Sequence, residues 1–147
     1  MAWASENSNQ VTAIATNDIQ TIEVLSVEPT PSPYTATARR LFHHFPVLGS
    51  RRIDDPSVIR NLIDSLNRQI IPRPSGNMCI FVPRHGLIVK YKDRTVDYLI
   101  CYHCGDVARF EGEKYDSLSL RSGPPSKGLS KELLDDLLSK VGIPLAP

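Results

Sequence analysis

Met78–Tyr91 (MCIFVPRHGLIVKY), Lys92–Thr95 (KDRT) and Val96–Phe110 (VDYLICYHCGDVARF) read as two long strands joined by a turn. Both runs are rich in β-branched and aromatic residues, and the polar tetrapeptide between them is what a hairpin needs. A turn centred on Asp93-Arg94 sets Val89 opposite Tyr98 and His85 opposite Tyr102. Downstream, Ser117–Leu120 (SLSL) adds a short strand and Gly123-Pro124-Pro125 a break.

On the N-terminal side of the hairpin, Asp55-Pro56 is a helix start: a carboxylate able to accept from free N–H groups, then a proline pre-set for the first helical position. Val58, Ile59, Leu62, Ile63, Leu66 and Ile70 recur at three- and four-residue intervals behind it, so one face of the helix packs on a core. The helix should end before the loop of Pro72, Pro74 and Gly76. Ser130 can cap a second helix with Leu133, Leu134, Leu137, Leu138 and Val141 on one face, closed by Gly142 and Pro144.

Thr21–Val27 (TIEVLSV) alternates as a strand, with Ile22, Val24 and Ser26 facing one way and Glu23, Leu25 and Val27 the other. Pro29, Pro31 and Pro33 end it. Arg40–Ile53 (RLFHHFPVLGSRRI), with Pro46 and Gly49, suits an edge strand carrying a bulge. Met1 to about Gln20 is mostly Ser, Asn, Thr and Ala and reads as a disordered tail.

Strands grouped in runs rather than alternating with helices make this an α+β fold: a mainly antiparallel sheet of about five strands, with two amphipathic helices packed on one face. Residues 21–147 form a single domain. At 147 residues the chain is long enough to bury a core without metal or crosslinks.

Lys and Arg number 17 against 16 Asp and Glu, a net charge of +1. Neither nucleic acid nor a membrane surface is an expected partner. Arg39-Arg40, Arg51-Arg52, Arg84 and Arg94 lack an interleaved aromatic platform and read as solvated surface. No run is long and apolar enough to span a bilayer, and Met1–Gln10 has no basic start or apolar stretch. An odd number of cysteines, two of them three residues apart, does not look like the framework of a secreted mini-protein. A cytoplasmic location is expected.

Cys101-Tyr102-His103-Cys104 is the sharpest local feature. The spacing can supply two thiolates to zinc or form a redox pair. Zinc needs further ligands, to be drawn from Cys79, His85, His103 or the His43-His44 pair. In a regular strand Cys101 and Cys104 point to opposite faces, so a bulge or turn at Gly105 is required to bring them together. The motif ends a strand and does not begin a helix, which removes the thioredoxin-like context. The structural alternative is that the cysteines are small core fillers.

Pro83-Arg84-His85-Gly86 lies in the adjoining strand, where proline and glycine together imply a kink or bulge. His85 could serve as a base beside Cys104, although no third orienting group can be assigned. More often such a histidine is structural. No P-loop, dinucleotide, nucleophile-elbow or zinc-protease motif occurs.

On these residues the chain resembles a family of small uncharacterised bacterial proteins. Phe42-His43 with Val47-Leu48-Gly49, Pro83-Arg84-His85-Gly86, Ile100-Cys101-Tyr102-His103-Cys104 and the ending Val141–Pro147 carry the resemblance, which covers about Thr21 to the C-terminus. It implies no activity and does not place Cys79. Many members carry export signals, which Met1–Gln10 does not match.

The leading functional reading is a non-enzymatic binding or interaction module. It would present Pro83, Arg84, His85, Tyr102 and His103 to an unidentified protein or small ligand, with no cofactor. The alternatives are a thiol- or zinc-dependent site built from Cys101, Cys104, His85 and Cys79, and a regulatory or toxin-neutralising partner protein.

Overall fold

A computed structural model describes residues 14–31, 40–74, 76, 78–121 and 130–147; the expected linker around Pro33, the break at Gly123-Pro124-Pro125 and the tail as far as Ala13 lie outside them. The elements run β1 (Ile19–Val27), β2 (Leu41–Phe42), β3 (Phe45–Ile53), α1 (Pro56–Gln69), β4 (Ile70–Ile71), β5 (His85–Tyr91), β6 (Thr95–Cys101), β7 (Asp106–Glu111), β8 (Lys114–Leu120) and α2 (Ser130–Ser139). Among the described residues, eight strands form one sheet in the order β2-β3-β1-β5-β6-β7-β8-β4, every pair antiparallel.

The expected five strands become eight because turns divide two of the predicted runs and Ile70–Ile71 adds a short pairing with β8. His43 and His44 hold φ of 49° and 80° and close a hairpin between Phe42 and Phe45 where a single bulged strand was expected. Residues 102–105 form a turn that separates β6 from β7, and Gly105 takes φ of 74° there. The expected bulge is present in β3: Ser26 pairs with Gly49 and Val27 with Val47, which leaves Leu48 as the extra residue.

The expected register is also corrected. Val89 pairs with Val96, Leu87 with Tyr98 and His85 with Ile100, because the connection closes at Tyr91–Arg94, with Tyr91 N–H donating to Arg94 O at 2.8 Å. A shift of two residues leaves each side chain on its expected face, since sides alternate with period two.

Both helices sit where their apolar periodicity put them. Asp55 caps α1 by accepting from Ser57 N–H at 2.9 Å, and Ile59, Leu62, Ile63 and Leu66 are buried. Burying each of these side chains contributes about 1.5–3 kcal/mol before entropy is counted. The end of α2 is a Schellman motif: Gly142 has φ of 78°, Gly142 N–H donates to Ser139 O at 3.0 Å and Ile143 N–H to Leu138 O at 3.1 Å. Val141, expected on the apolar face, is instead 51% exposed, because the chain turns at that residue. With Ile22, Val24, Leu87, Val89, Tyr98 and Ile100 from the sheet, the helices enclose the main core.

The folded part begins before Thr21. Ile14 is buried; its N–H donates to Asn67 Oδ1 at 2.7 Å, and Asn67 Nδ2 donates to Ile14 O at 3.0 Å. Tyr91 Oη donates to Ala15 O at 2.8 Å. Composition alone made this stretch too polar to order, but one buried isoleucine and three long-range hydrogen bonds offset that cost.

Candidate functional site

His85 opens β5 on the helix-covered face, since its neighbour Gly86 points the other way, toward Phe42 and Leu25. Its side chain reaches the second turn of α2, where His85 Nε2 lies 2.6 Å from Asp135 Oδ1. The other carboxylate oxygen of Asp135 accepts from Lys131 Nζ at 2.8 Å. Burial is the largest influence on His85 and holds its pKa below the ordinary histidine value, against the opposing pull of Asp135. His85 Nδ1 is buried and has no hydrogen-bond partner. A second ring proton would sit on Nδ1 with no acceptor, so the imidazole is neutral, with its one N–H at Nε2 donated to Asp135. Partial burial is the largest single influence on Asp135 and raises its carboxyl, but Lys131 and His85 together outweigh it and hold the carboxyl below its usual range.

Tyr102 starts the turn after β6 and packs its ring edge-on to His85, centroids 5.5 Å apart. The two are diagonal neighbours, because His85 pairs with Ile100. Tyr102 is hydrogen-bonded to Ser130, whose own hydroxyl is bonded to Gln69 Oε1. Gln69 Oε1 also accepts from Ser130 N–H at 3.0 Å. An amide oxygen only accepts, so the Ser130 proton goes to Gln69, and Tyr102 must donate to Ser130 Oγ. Burial raises the Tyr102 phenol pKa well above its ordinary value, which keeps that proton in place. Ser130 therefore begins α2 as a junction between helix ends and turn, where the sequence suggested a plain cap.

Around these residues lies a cavity of about 500 Å³. Val82, Arg84 and His85 form one wall, Tyr102 and His103 a second, and Lys131, Ala146 and Pro147 the remainder. The C-terminal segment is held there at three points. Ser26 Oγ donates to Pro144 O at 2.7 Å, Arg84 Nε donates to Pro147 O at 2.6 Å, and Ile143 packs so closely on Gly49 that a Cβ there would lie 2.8 Å from it. Arg84 also makes a longer contact to Val82 O, at 3.4 Å.

Four of the five expected binding residues, Arg84, His85, Tyr102 and His103, thus line one cavity. Pro83 does not; it sits between two lining residues and directs the chain into β5. Sequence reading missed Asp135, Lys131, Ser130 and Gln69. All four come from the helices, where their pattern is that of an ordinary polar face; Ser130 alone was marked, and only as a cap. A smaller cavity of about 230 Å³, between Ile19 and the start of α1, gathers none of the expected residues.

The four candidate metal ligands are not brought together. Cys104 is joined to Cys79 in a disulfide, Cys101 is a buried free thiol, and His85 is bound to Asp135. Among the described residues no three His, Cys, Asp or Glu side chains converge as ligands. Cys101 alone is the small buried filler, and the alternative pairing of Cys101 with Cys104 is corrected by that disulfide: the extended segment before β5 carries Cys79 alongside the 102–105 turn, a contact between chain segments 25 residues apart.

His43 joins a different constellation. It stacks on Phe110 with centroids 3.8 Å apart, and its Nε2 lies 2.9 Å from Asp97 Oδ2, on the face away from the helices. No helix among the described residues is long and apolar enough to cross a membrane. Comparison with protein-family models, with curated proteins and with solved structures finds no match to this chain.

Proposed function

We propose that this chain is a binding module for a small anionic ligand with an apolar body, held in the cavity between β5, the 102–105 turn, the start of α2 and the C-terminal segment. The observation that carries the reading is the lining of that cavity. Arg84 has no Asp or Glu side chain paired with it among the described residues, its Nε and Nη1 being turned to Pro147 O and Val82 O; Lys131 shares Asp135 with His85, and Val82, Tyr102, Ala146 and Pro147 supply apolar surface. A charged head bound by fixed cations beside an apolar wall is the usual composition of small-molecule sites.

Binding is favoured over catalysis by how the polar groups are used. His85 is oriented by a carboxylate, as a general base would be, but the nearest hydroxyls, Ser130 and Tyr102, are committed to each other and to Gln69. A disulfide between Cys79 and Cys104 persists in oxidising compartments, which favours an exported protein over the cytoplasmic location expected from cysteine spacing. A second reading, docking of a protein partner, is favoured by Met78 and Ile80, which are 97% and 80% exposed beside the cavity wall.

The test is an NMR titration with short aliphatic and aromatic carboxylates. Saturable shifts confined to residues 82–85, 102–103, 131 and 146–147, and at least about tenfold weaker in Arg84→Gln, are expected. Shifts that do not saturate, or that survive Arg84→Gln unchanged, overturn the reading. Shifts arising only around Met78 and Ile80 on addition of a protein would support the second.

A further inference from the structure

All three cysteines belong to the 102–105 turn or its two attachments, and only two of them are joined. Cys79 is exposed, its partner Cys104 is buried, and Cys101 is buried and free. The 102–105 turn folds Cys104 back toward Cys101: Gly105 N–H donates to Cys101 O at 2.9 Å, and Cys104 N–H donates to Cys101 Sγ at 3.3 Å. This is a single helical turn, in which residues three apart become neighbours. The opposite-face geometry of a strand therefore does not apply to Cys101 and Cys104. Cys104 is bonded to a sulfur from the segment before β5, and the thiol of Cys101 lies 3.3 Å from its backbone nitrogen.

We propose that these three residues form an internal thiol–disulfide relay. Cys101 is buried, so it loses its proton to water when the 102–105 turn opens locally, and its thiolate then attacks Cys104 Sγ. The Cys101–Cys104 bond forms as the Cys79–Cys104 bond breaks, and the electron pair leaves on Cys79 Sγ, which takes a proton from solvent. One disulfide and one thiol are present before and after, so neither oxidant nor reductant is consumed. The result is to move the single free thiol from the core to the surface. There it is flanked by Met78 and Ile80, two exposed apolar side chains that offer a contact surface for a protein or small-molecule disulfide. The exchange also unfastens the Val82–Arg84 wall of the cavity from the Tyr102–His103 wall, which the Cys79–Cys104 bond holds together. Only this second consequence rests on the binding function proposed above.

The test maps sulfurs in the full chain without ligand. Native protein is incubated with N-ethylmaleimide and the label and disulfide are located by peptide mass spectrometry. Label on Cys79, with Cys101 joined to Cys104, is expected; its rate should not depend on protein concentration, and Cys101→Ser should take up no label. Cys79→Ser in a glutathione buffer should close a Cys101–Cys104 disulfide. Label found only on Cys101, or a rate that rises with protein concentration, overturns the relay, as does a folded Cys79→Ser that keeps two thiols under oxidation. Should Cys79→Ser not fold, the wild-type labelling decides alone. Failure here leaves the carboxylate titration untouched, so the two proposals fall separately.

Discussion

The two faces of the sheet share the same strands but are covered by different means. On one, Ile22, Val24, Leu87, Val89, Tyr98 and Ile100 lie under the apolar stripes of α1 and α2. On the other, Leu25, Val27, Leu99 and Ala108 lie under Phe42 and Phe45, with Phe81, Val47, Ile88 and Phe110 around them. The first cover comes from two regular helices whose buried residues recur every three or four positions. The second depends on a hairpin turned by two histidines in the left-handed region, a conformation that costs a non-glycine residue about 1–2 kcal/mol. The contacts of His43 with Asp97 and Phe110 are what hold that turn in place. Stability is therefore expected to be concentrated on the helix face and specificity of shape on the other. The cavity beside His85 lies at the end of the helix face, where His85, Gln69 and Ser130 are buried in place of apolar residues.

Leu62→Ala should have the largest effect. Leu62 lies on the buried face of α1 and is fully buried, and its truncation should cost about 2–5 kcal/mol in urea unfolding. A loss below about 1 kcal/mol, less than that range for a buried leucine, would break the contrast between the faces.

Gly86→Ala probes the opposite face. A Cβ at this position would lie 2.8 Å from Phe42 Cε2 and 3.0 Å from Cδ2, so the ring must move off the sheet. A loss of about 1–3 kcal/mol is expected, with a change in near-ultraviolet circular dichroism. Recovery of most of that loss in Gly86→Ala with Phe42→Leu would sharpen the picture of one aromatic ring seated on one glycine; a fully stable Gly86→Ala would show that the ring is not held there.

The third effect is pH-dependent. Burial keeps the folded His85 pKa below its unfolded value, so the unfolded chain takes up this proton first. Stability is then full above about pH 6.5 and declines below it, by at most about 1.4 kcal/mol per pH unit from this one group. Urea midpoints measured between neutral and mildly acidic pH should fall in wild type and flatten in His85→Gln. An unchanged slope in the variant would mean that His85 binds its proton equally well in the folded and unfolded chain, against the effect of burial. Asp135, held below its usual range, acts in a lower window: its contribution is lost as pH falls through its folded pKa.

Arg40→Gln should be the mildest. Arg40 Nη1 and Nη2 reach the two oxygens of Glu23 at 2.7 and 3.2 Å, but the arginine side chain is 47% exposed. Solvent screening limits such a pair to about 0–1 kcal/mol. A larger loss would mean that this pair anchors the hairpin entry and that the second face is less marginal than its cover suggests.

Legibility in the sequence followed the range of the interactions. The Asp55-Pro56 start of α1, the Gly142 end of α2 and the alternation of Thr21–Val27 were all readable because cap, stripe and strand side are decided within a few residues. The turn at residues 102–105 was harder, because Cys101–Cys104 continues an apolar strand pattern and only Gly105 marks the reversal. His43-His44 was misread for a related reason: histidine can take a left-handed turn but does not announce one. Ile14 looked like part of a tail until its partners Asn67 and, through Ala15, Tyr91 were in view.

By itself the sequence determined the class of the fold, the two helices and their buried faces, the alternation of β1, and four residues that line the cavity. Those follow from hydrophobic periodicity and capping, which are local. Only the tertiary structure decided that Cys104 bonds to Cys79 with Cys101 left as a thiol, that Asp135 orients His85, that Gln69 and Tyr102 occupy Ser130, and that the C-terminal segment closes the cavity. Each of these joins groups far apart in the chain, and neither the composition nor the spacing of either partner specifies which distant group it will meet once the sheet has closed.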